Sequence, residues 1–469
     1  MRDSVNPPPL SAYAVSHHTL KAHNKSEQVR SRPGYSRLRS IRLRQPSPAR
    51  LTSWLLALLA FSLPIVALAD NVELFAQARS GLFVIQVTDA NSDRKVSLGS
   101  GFLMENGLIA TNYHVVSRQL LHPESYSLAY EGEDGQRGEL QVAAVDAVHD
   151  LALVRASEDE LRELYRFPLA GELPEQGASV ISLGNPFDVG ISVVPGTYNG
   201  AVARSYQKRL HFTGALNPGM SGGPAVNESG EVVGINVAGA GNSVSFLVPV
   251  EHLQTLIART DPSVEQSYAQ IRASIQQDLV DYQATLIDSL LAGDWSLKPF
   301  GPIQVPGELT DYVNCVGGGS SEDDDLPYEQ HTIDCTVRDR VYLSDYFSTG
   351  MLELDYSWFE TEELSQLQFY NLLSGLNYLP MNPGTKDDVT QFQCHEDMMD
   401  LDSLPGESFK AVYCVRAYLD YAGLTDVLFV ATSLRGGDHA FSIHYTLAGV
   451  TQDRATAFNQ AFVRALAWK

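Results

Sequence analysis

The sequence predicts an all-β double β-barrel over residues 70–257, an amphipathic helix or linker over 261–293 and an α+β C-terminal domain over 296–469. Three observations lead there. From Gly81 to about Val250, short apolar runs such as Leu82 to Val87, Leu108 to Thr111, Leu151 to Val154 and Val244 to Val248 are punctuated by Gly, Asn, Asp and Pro. No helical period of useful length intervenes, and a span of about 180 residues suits two barrels. Asp261-Pro262 then supplies an N-cap and a first-turn proline. Val264, Tyr268, Ile271, Ile275, Leu279, Tyr282, Leu286 and Leu290 follow at intervals of 4, 3, 4, 4, 3, 4 and 4 residues until Gly293. Such a stripe packs on its own domain or, alternatively, forms an oligomerisation seam. Beyond Trp295 the chain mixes short strands, turns and an acidic loop at Asp323 to Asp325, and closes with an amphipathic helix near Arg454 to Trp468.

At 469 residues the chain is long enough for two folded domains and an N-terminal processing segment. Residues 1–69 hold two Lys and eight Arg against Asp3 and Glu27, a balance of +8; the whole chain is −23, which leaves −31 for the rest. An acidic body without a basic stripe excludes a nucleic-acid partner. Leu51 to Ala69 is an apolar run behind Arg42, Arg44 and Arg50, and it ends in Ala67-Leu68-Ala69, the small-x-small form of a signal-peptidase site. It is short for a membrane helix and is broken by Pro64, so a cleaved signal peptide is the first reading. An uncleaved anchor facing the periplasm is the second, and only it gives the chain a membrane partner. The third is a mitochondrial transit peptide. The expected location is periplasmic or secreted.

All four cysteines fall late, and Cys315/Cys335 and Cys394/Cys414 are each 20 positions apart. In an exported chain an even count suggests disulfides, of which these two are the simplest. No CxxC or Cys/His cluster supports a metal site.

The strongest chemical signal is Asn217-Pro218-Gly219-Met220-Ser221-Gly222-Gly223-Pro224. A serine hydroxyl needs a base to remove its proton and N–H groups to meet an oxyanion, and flanking glycines allow a turn that presents all of these together. The oxyanion site falls on Gly219, Met220 and Ser221, with Gly219 and Ser221 as the donors. The same pattern fits the nucleophile elbow of α/β-hydrolases, but the downstream Pro224 to Val237 reads as a hairpin around Asn227 to Gly230 rather than a helix. Upstream, His114 follows an apolar strand and Asp150 precedes another. The order His, Asp, Ser, at intervals of 36 and 71 residues, is that of the chymotrypsin arrangement. His149 is a rival base, read as a surface residue because a neighbour of Asp150 cannot be oriented by it.

With these residues the sequence resembles the trypsin-like serine proteases of the HtrA (Deg) type, of chymotrypsin-like fold. The matching stretches are Leu98 to Phe102, Ile109 to Val116, Asp150 to Val154, Gly184 to Phe187, Asn217 to Pro224 and Gly234 to Asn236, all within about residues 80–253. The resemblance implies a relay in which His114 is base and then acid, Asp150 orients it and Ser221 forms an acyl-enzyme, with no metal or organic cofactor. The sequence departs from the family's pattern in Met220, where Asn is usual, and in Thr213 to Asn217, which is one residue shorter and lacks an acidic residue. No PDZ signature follows Val250.

In this fold the base of the S1 pocket comes from near Ala215 and its wall from Val237, Ala238 and Ala240; none is acidic, so small or medium apolar P1 residues are expected. The expected activity is that of a serine endopeptidase acting on extracytoplasmic, unfolded or damaged polypeptides. The alternative is an inactive protease-fold scaffold whose C-terminal domain carries the function.

Overall fold

The computed structural model describes residues 70–320, 326–375, 384–402, 404–434 and 436–468. The expected signal segment, residues 1–50 and the acidic loop at Asp323 to Asp325 lie outside the described residues.

After helix α1 (Asp70–Ala78) come seven strands: β1 (Leu82–Asp89), β2 (Lys95–Leu103), β3 (Ile109–Thr111), β4 (Tyr126–Gly132), β5 (Arg137–Glu139), β6 (Gln141–Asp146) and β7 (Leu151–Arg155). They form one antiparallel sheet in the order β5-β4-β1-β2-β3-β7-β6. Its end strands β5 and β6 are separated in sequence only by Leu140, whose N–H donates to Leu128 O at 2.9 Å. The sheet must therefore coil round on itself. β8 (Ser179–Gly184), β9 (Ser192–Ala201), β10 (Leu210–Thr213), β11 (Pro224–Val226), β12 (Val232–Gly241) and β13 (Val244–Pro249) close a six-stranded barrel, β10-β13-β12-β11-β8-β9. Phe102, Leu151 and Leu153 of the first sheet share a buried cluster with Leu183, Val226, Ile235 and Val248 of the second, so the seam between the barrels is itself a core.

Three helices lie where none was expected: α2 (Tyr113–Leu121), the single turn α3 (Glu158–Leu161) and α4 (Val250–Ala258). In α2 the β-branched pair Val115-Val116 reads as a continuing strand, yet both side chains are buried on one helix face beside Tyr113 and Leu120. Packing overrides propensity there. The long helix α5 spans Tyr268–Leu291, with Ser267 as its N-cap, and starts six residues later than Asp261-Pro262 suggests. Ser267 accepts from Gln270 N, and Gln270 Oε1 accepts from Ser267 N at 2.8 Å. That reciprocal capping box outcompetes Asp261, which instead closes a turn with Ser263, and Val264 is left exposed.

The chain continues through β14 (Leu297–Phe300), β15 (Ile303–Pro306), β16 (Val313–Gly319), β17 (Glu329–Val337), β18 (Val341–Ser344), β19 (Phe347–Thr349), β20 (Leu352–Glu360), α6 (Gln366–Gly375), β21 (Gln393–Asp400), β22 (Ser408–Ala417), β23 (Thr425–Ser433), β24 (His439–Val450), α7 (Gln452–Arg464) and β25 (Ala467–Trp468). The closing helix thus stops at Arg464. The strands are longer than expected, with 12 residues in β24, and they build a seven-stranded antiparallel sheet, β16-β17-β20-β24-β23-β22-β21. Cys315 pairs directly opposite Cys335 on β16 and β17, and Cys394 opposite Cys414 on β21 and β22; both pairs are disulfide-bonded. Each disulfide therefore fastens an edge strand to its neighbour, at the places where a sheet would otherwise fray or recruit another chain.

The stripe of α5 serves both halves of the molecule. Ile271, Ile275 and Leu279 join the core of the first barrel together with Val341, Leu343 and Phe347 from the β18–β19 hairpin. Leu286, Ile287 and Leu290 join the core of the seven-stranded sheet with Phe458 and Phe462 of α7. Intramolecular packing occupies the face that could have been an oligomerisation seam. None of the helices among the described residues is long and apolar enough to cross a membrane.

Candidate active site

Asp150 stands at the entrance to β7 with φ 60°, a left-handed conformation that Asp tolerates better than most residues. Its backbone O accepts from Asn112 Nδ2 at 2.6 Å, while Oδ1 accepts from His114 N at 2.9 Å and Oδ2 meets His114 Nδ1 at 2.7 Å. The carboxylate thus holds both the backbone and the ring of the first turn of α2. Burial lowers the His114 pKa; attraction to, and hydrogen bonding with, Asp150 raise it, Arg209 lowers it, and the net direction is above the ordinary histidine value. Asp150 is buried, whereas the His114 side chain keeps 29 % of its surface open.

Ser221 enters from the second barrel, in the turn before β11. Gly219 (φ +98°) and Gly222 (φ +85°) are left-handed, and a Cβ on either would lie 2.4 Å from Asn185 O or 2.3 Å from Ser100 O. Only glycine fits. Ser100 of β2 ties the turn to the first barrel: its N–H donates to Ser221 O at 2.7 Å, its hydroxyl donates to Gly219 O at 2.7 Å and accepts from Asn185 N at 2.9 Å. The Ser221 hydroxyl donates to Val237 O at 3.4 Å.

Peptide planarity decides which amides face outward. Pro218 O accepts from Phe187 N at 2.8 Å, so the Gly219 N–H of the same trans peptide points away from that contact. Met220 O accepts from Gly223 N and Asn236 Nδ2, at 3.1 and 3.2 Å, which turns Ser221 N–H to the opposite side. Met220 N is instead consumed by Asn217 O at 3.0 Å, and the Met220 side chain is fully buried. Met220 is therefore removed from the set of oxyanion candidates, because a bonded amide cannot also serve an oxyanion.

Of the residues expected at the substrate pocket, Ala215, Ala238 and Ala240 are exposed, and Val237 is half-buried with its carbonyl on the Ser221 hydroxyl. A Cβ on Gly239 would lie 2.7 Å from Leu216 O, so the segments 214–216 and 237–240 are neighbours. β11 stops pairing with β12 at Ile235, and beyond it no strand among the described residues pairs with that edge of β12.

His149 is not a plain surface residue. Its Nδ1 meets Asp146 Oδ2 at 2.8 Å and its ring stacks on His252 at 3.7 Å, forming a second His–Asp pair. Burial and then His149 push His252 down to about 4. Sequence reasoning also passed over the clamp formed by Ser100, visible only as the residue between Gly99 and Gly101, and over Tyr342, a residue of the C-terminal half that reaches His114.

Two barrels packed through a shared core, with a glycine-hinged serine turn in the second, are the fold of a trypsin-like peptidase, and residues 99–235 match the family model of the trypsin-like peptidase domain. The matched segment is similar to serine proteases of the HtrA type. The chain is 31 % identical over 171 residues to Serine protease HTRA1 of Xenopus laevis, covering 34 % of this chain and 36 % of that one. It is 29 % identical over 173 residues to "Probable periplasmic serine endoprotease DegP-like" of Buchnera aphidicola, covering 34 % and 36 %. The crystal structure of the serine endoprotease from Yersinia pestis is 24 % identical and covers 41 % of this chain and 67 % of that one, with a TM-score of 0.35. The chain spans about a third of the length of these two curated relatives.

Proposed function

We propose that the protein is a serine endopeptidase in which His114, Asp150 and Ser221 cleave peptide bonds through an acyl-enzyme. The observation that carries this reading is the two-point hold of Asp150 on His114, on the ring at 2.7 Å and on the backbone at 2.9 Å, in a fold that also carries a glycine-hinged serine turn, whose hydroxyl bonds Val237 O at 3.4 Å. His114 Nε2 takes the Ser221 proton as the hydroxyl attacks the scissile carbonyl; the oxyanion forms at the amides of Gly219 and Ser221; His114 then gives its proton to the leaving amine, and water repeats the sequence on the ester. The unpaired edge of β12 at 237–240 suits addition of an extended substrate strand, which an unfolded polypeptide offers. With Ala215 and Val237 about the pocket, the P1 side chain is small or medium and apolar.

Export agrees with the basic segment and apolar run of residues 1–69, with the paired cysteines and with the periplasmic relative's printed name. The test is digestion of labelled casein by the full chain and by Ser221→Ala. Loss on the order of 10³-fold or more in kcat is expected; equal rates would remove Ser221 from the mechanism.

A further inference from the structure

The β18–β19 hairpin belongs to the C-terminal half in sequence but packs on α2, the helix that begins one residue before His114. Val341, Leu343 and Phe347 enter the same buried cluster as Tyr113, Val116 and Leu120. The Tyr113 hydroxyl, fully buried, donates to Leu343 O at 3.1 Å. Side chains alternate along a strand, so Tyr342, between Val341 and Leu343, turns the other way. Its ring meets the His114 imidazole edge-on, with centroids 5.9 Å apart and planes at 71°, and meets Tyr113 at 6.2 Å. The Tyr342 hydroxyl donates to Asp345 Oδ1 at 2.8 Å, and Asp345 Oδ2 is paired with Arg118, one turn beyond His114 on α2.

We propose that Tyr342 is a positioning residue for His114, a wall supplied by the C-terminal half that keeps the imidazole in line between Asp150 and Ser221. The proposal rests on His114 being the base. Asp150 restrains the ring through one hydrogen bond at Nδ1, and a single bond leaves small excursions about χ2, since sp³–sp² torsions have broad wells. An aromatic edge at contact distance removes that freedom. The hydroxyl anchor on Asp345, itself held by Arg118, keeps the wall from swinging away. A misplacement of about 1 Å in a catalytic group can cost on the order of 10²-fold in rate, which is the scale on which such a wall matters. The groups about His114 are Asp150 and Arg209 from the barrels, Tyr113 and Arg118 on its own helix, and Tyr342 and Asp345 from the hairpin. Exchanging Tyr342 for a neutral residue alters no charge among them at neutral pH, so any change in His114 titration comes from solvent access.

The experiment uses the full chain with Tyr342→Ala, Tyr342→Leu and Tyr342→Phe. It measures kcat and KM on a fluorogenic apolar-P1 peptide, and His114 titration by NMR in the Ser221→Ala background, which needs no activity. Tyr342→Ala is expected to lower kcat about 10- to 100-fold with KM within about twofold. Water admitted beside the imidazole relieves the burial that disfavours its cation, so His114 then titrates at higher pH than in wild type. Tyr342→Phe keeps the ring and is expected to stay within about threefold of wild type, with unchanged titration. Tyr342→Leu, which fills the space without an aromatic edge, is expected to fall between them and serves if Tyr342→Ala does not fold. A kcat within about twofold and an unmoved titration in both Ala and Leu variants would overturn the proposal. So would a rise in KM alone, which would make Tyr342 a substrate contact, or equal losses in Ala and Phe. If wild type cleaves nothing, the reading of the site fails, while the NMR arm still decides whether Tyr342 governs His114.

Discussion

The barrels and the C-terminal sheet solve the same structural problem by different means. The barrels contain no cysteine; the second is closed, the end strands of the first are joined through Leu140 alone, and their shared core of Phe102, Leu153, Leu183 and Val248 fixes one barrel on the other. The seven-stranded sheet is open, and each of its two edge strands is fastened by one disulfide. α5 lies in both cores. Closure suits a site that must hold groups from two barrels within hydrogen-bonding reach, and the disulfides suit a sheet that only has to stay folded while one of its hairpins rests on α2.

If the chemistry resides in the barrels alone, the largest effect belongs to a substitution that changes no packing. Asp150→Asn retains shape but presents the wrong tautomer to His114, and a fall on the order of 10⁴-fold in kcat is expected from peptide-hydrolysis assays. A loss under tenfold would place the orienting group elsewhere.

Whether the halves are separate in stability is tested at Ile275, fully buried on α5 among residues of both the first barrel and the hairpin. Ile275→Ala is expected to cost about 2–5 kcal/mol. It should lower the denaturant midpoints of barrel and sheet probes together; two resolved transitions, with only one moved, would break the shared-core description.

Replacing Cys394 and Cys414 by Ala should destabilise the open sheet by about 3 kcal/mol, through the greater freedom of the unfolded loop of about 20 residues. Hydrogen exchange should quicken in β21 and β22 and leave β11 and β12 protected. Equal loosening in both regions would erase the contrast between disulfide-fastened and closed sheets.

The smallest effect is a shift in pH dependence. His114 must be neutral to accept the serine proton, and Asp150 stabilises its cation, so activity should rise with pH to a midpoint above the ordinary histidine value of about 6.5. The linked stability has the opposite sense: the ion pair stabilises the fold fully below the unfolded pKa, and that contribution is lost as pH rises through the folded one. A midpoint below 6 would mean that burial outweighs Asp150.

His114, Asp150 and Ser221 could be named as candidates from the sequence because the chemistry restricts the residue types, and the structure puts the Asp150 carboxylate on the His114 ring and backbone. The glycines at 219 and 222 were legible for the same reason, since no Cβ fits there. The disulfides were readable from an even cysteine count in a chain read as exported, with the equal 20-residue separations making the observed pairing the simplest. Helix α2 was not, because Val115-Val116 carries strand propensity that only the packing of Tyr113 and Leu120 overrides. The start of α5 was misplaced because Asp261-Pro262 and Ser267-Gln270 are both capping signals, and the reciprocal one wins. Met220 was included among the oxyanion residues because sequence cannot tell that Asn217 takes its amide. Tyr342 had no local signature at all: it lies 228 residues beyond His114, and only the folded hairpin brings the two rings together.

The most direct measurement is mass mapping of the full chain after treatment with a fluorophosphonate, in wild type and in His114→Ala. The expected result is one adduct on the peptide carrying Ser221, formed in wild type and slowed on the order of 10³-fold or more without the imidazole. An adduct on another serine, or labelling of Ser221 at the same rate in both proteins, would contradict the assignment of His114 and Ser221 as base and nucleophile.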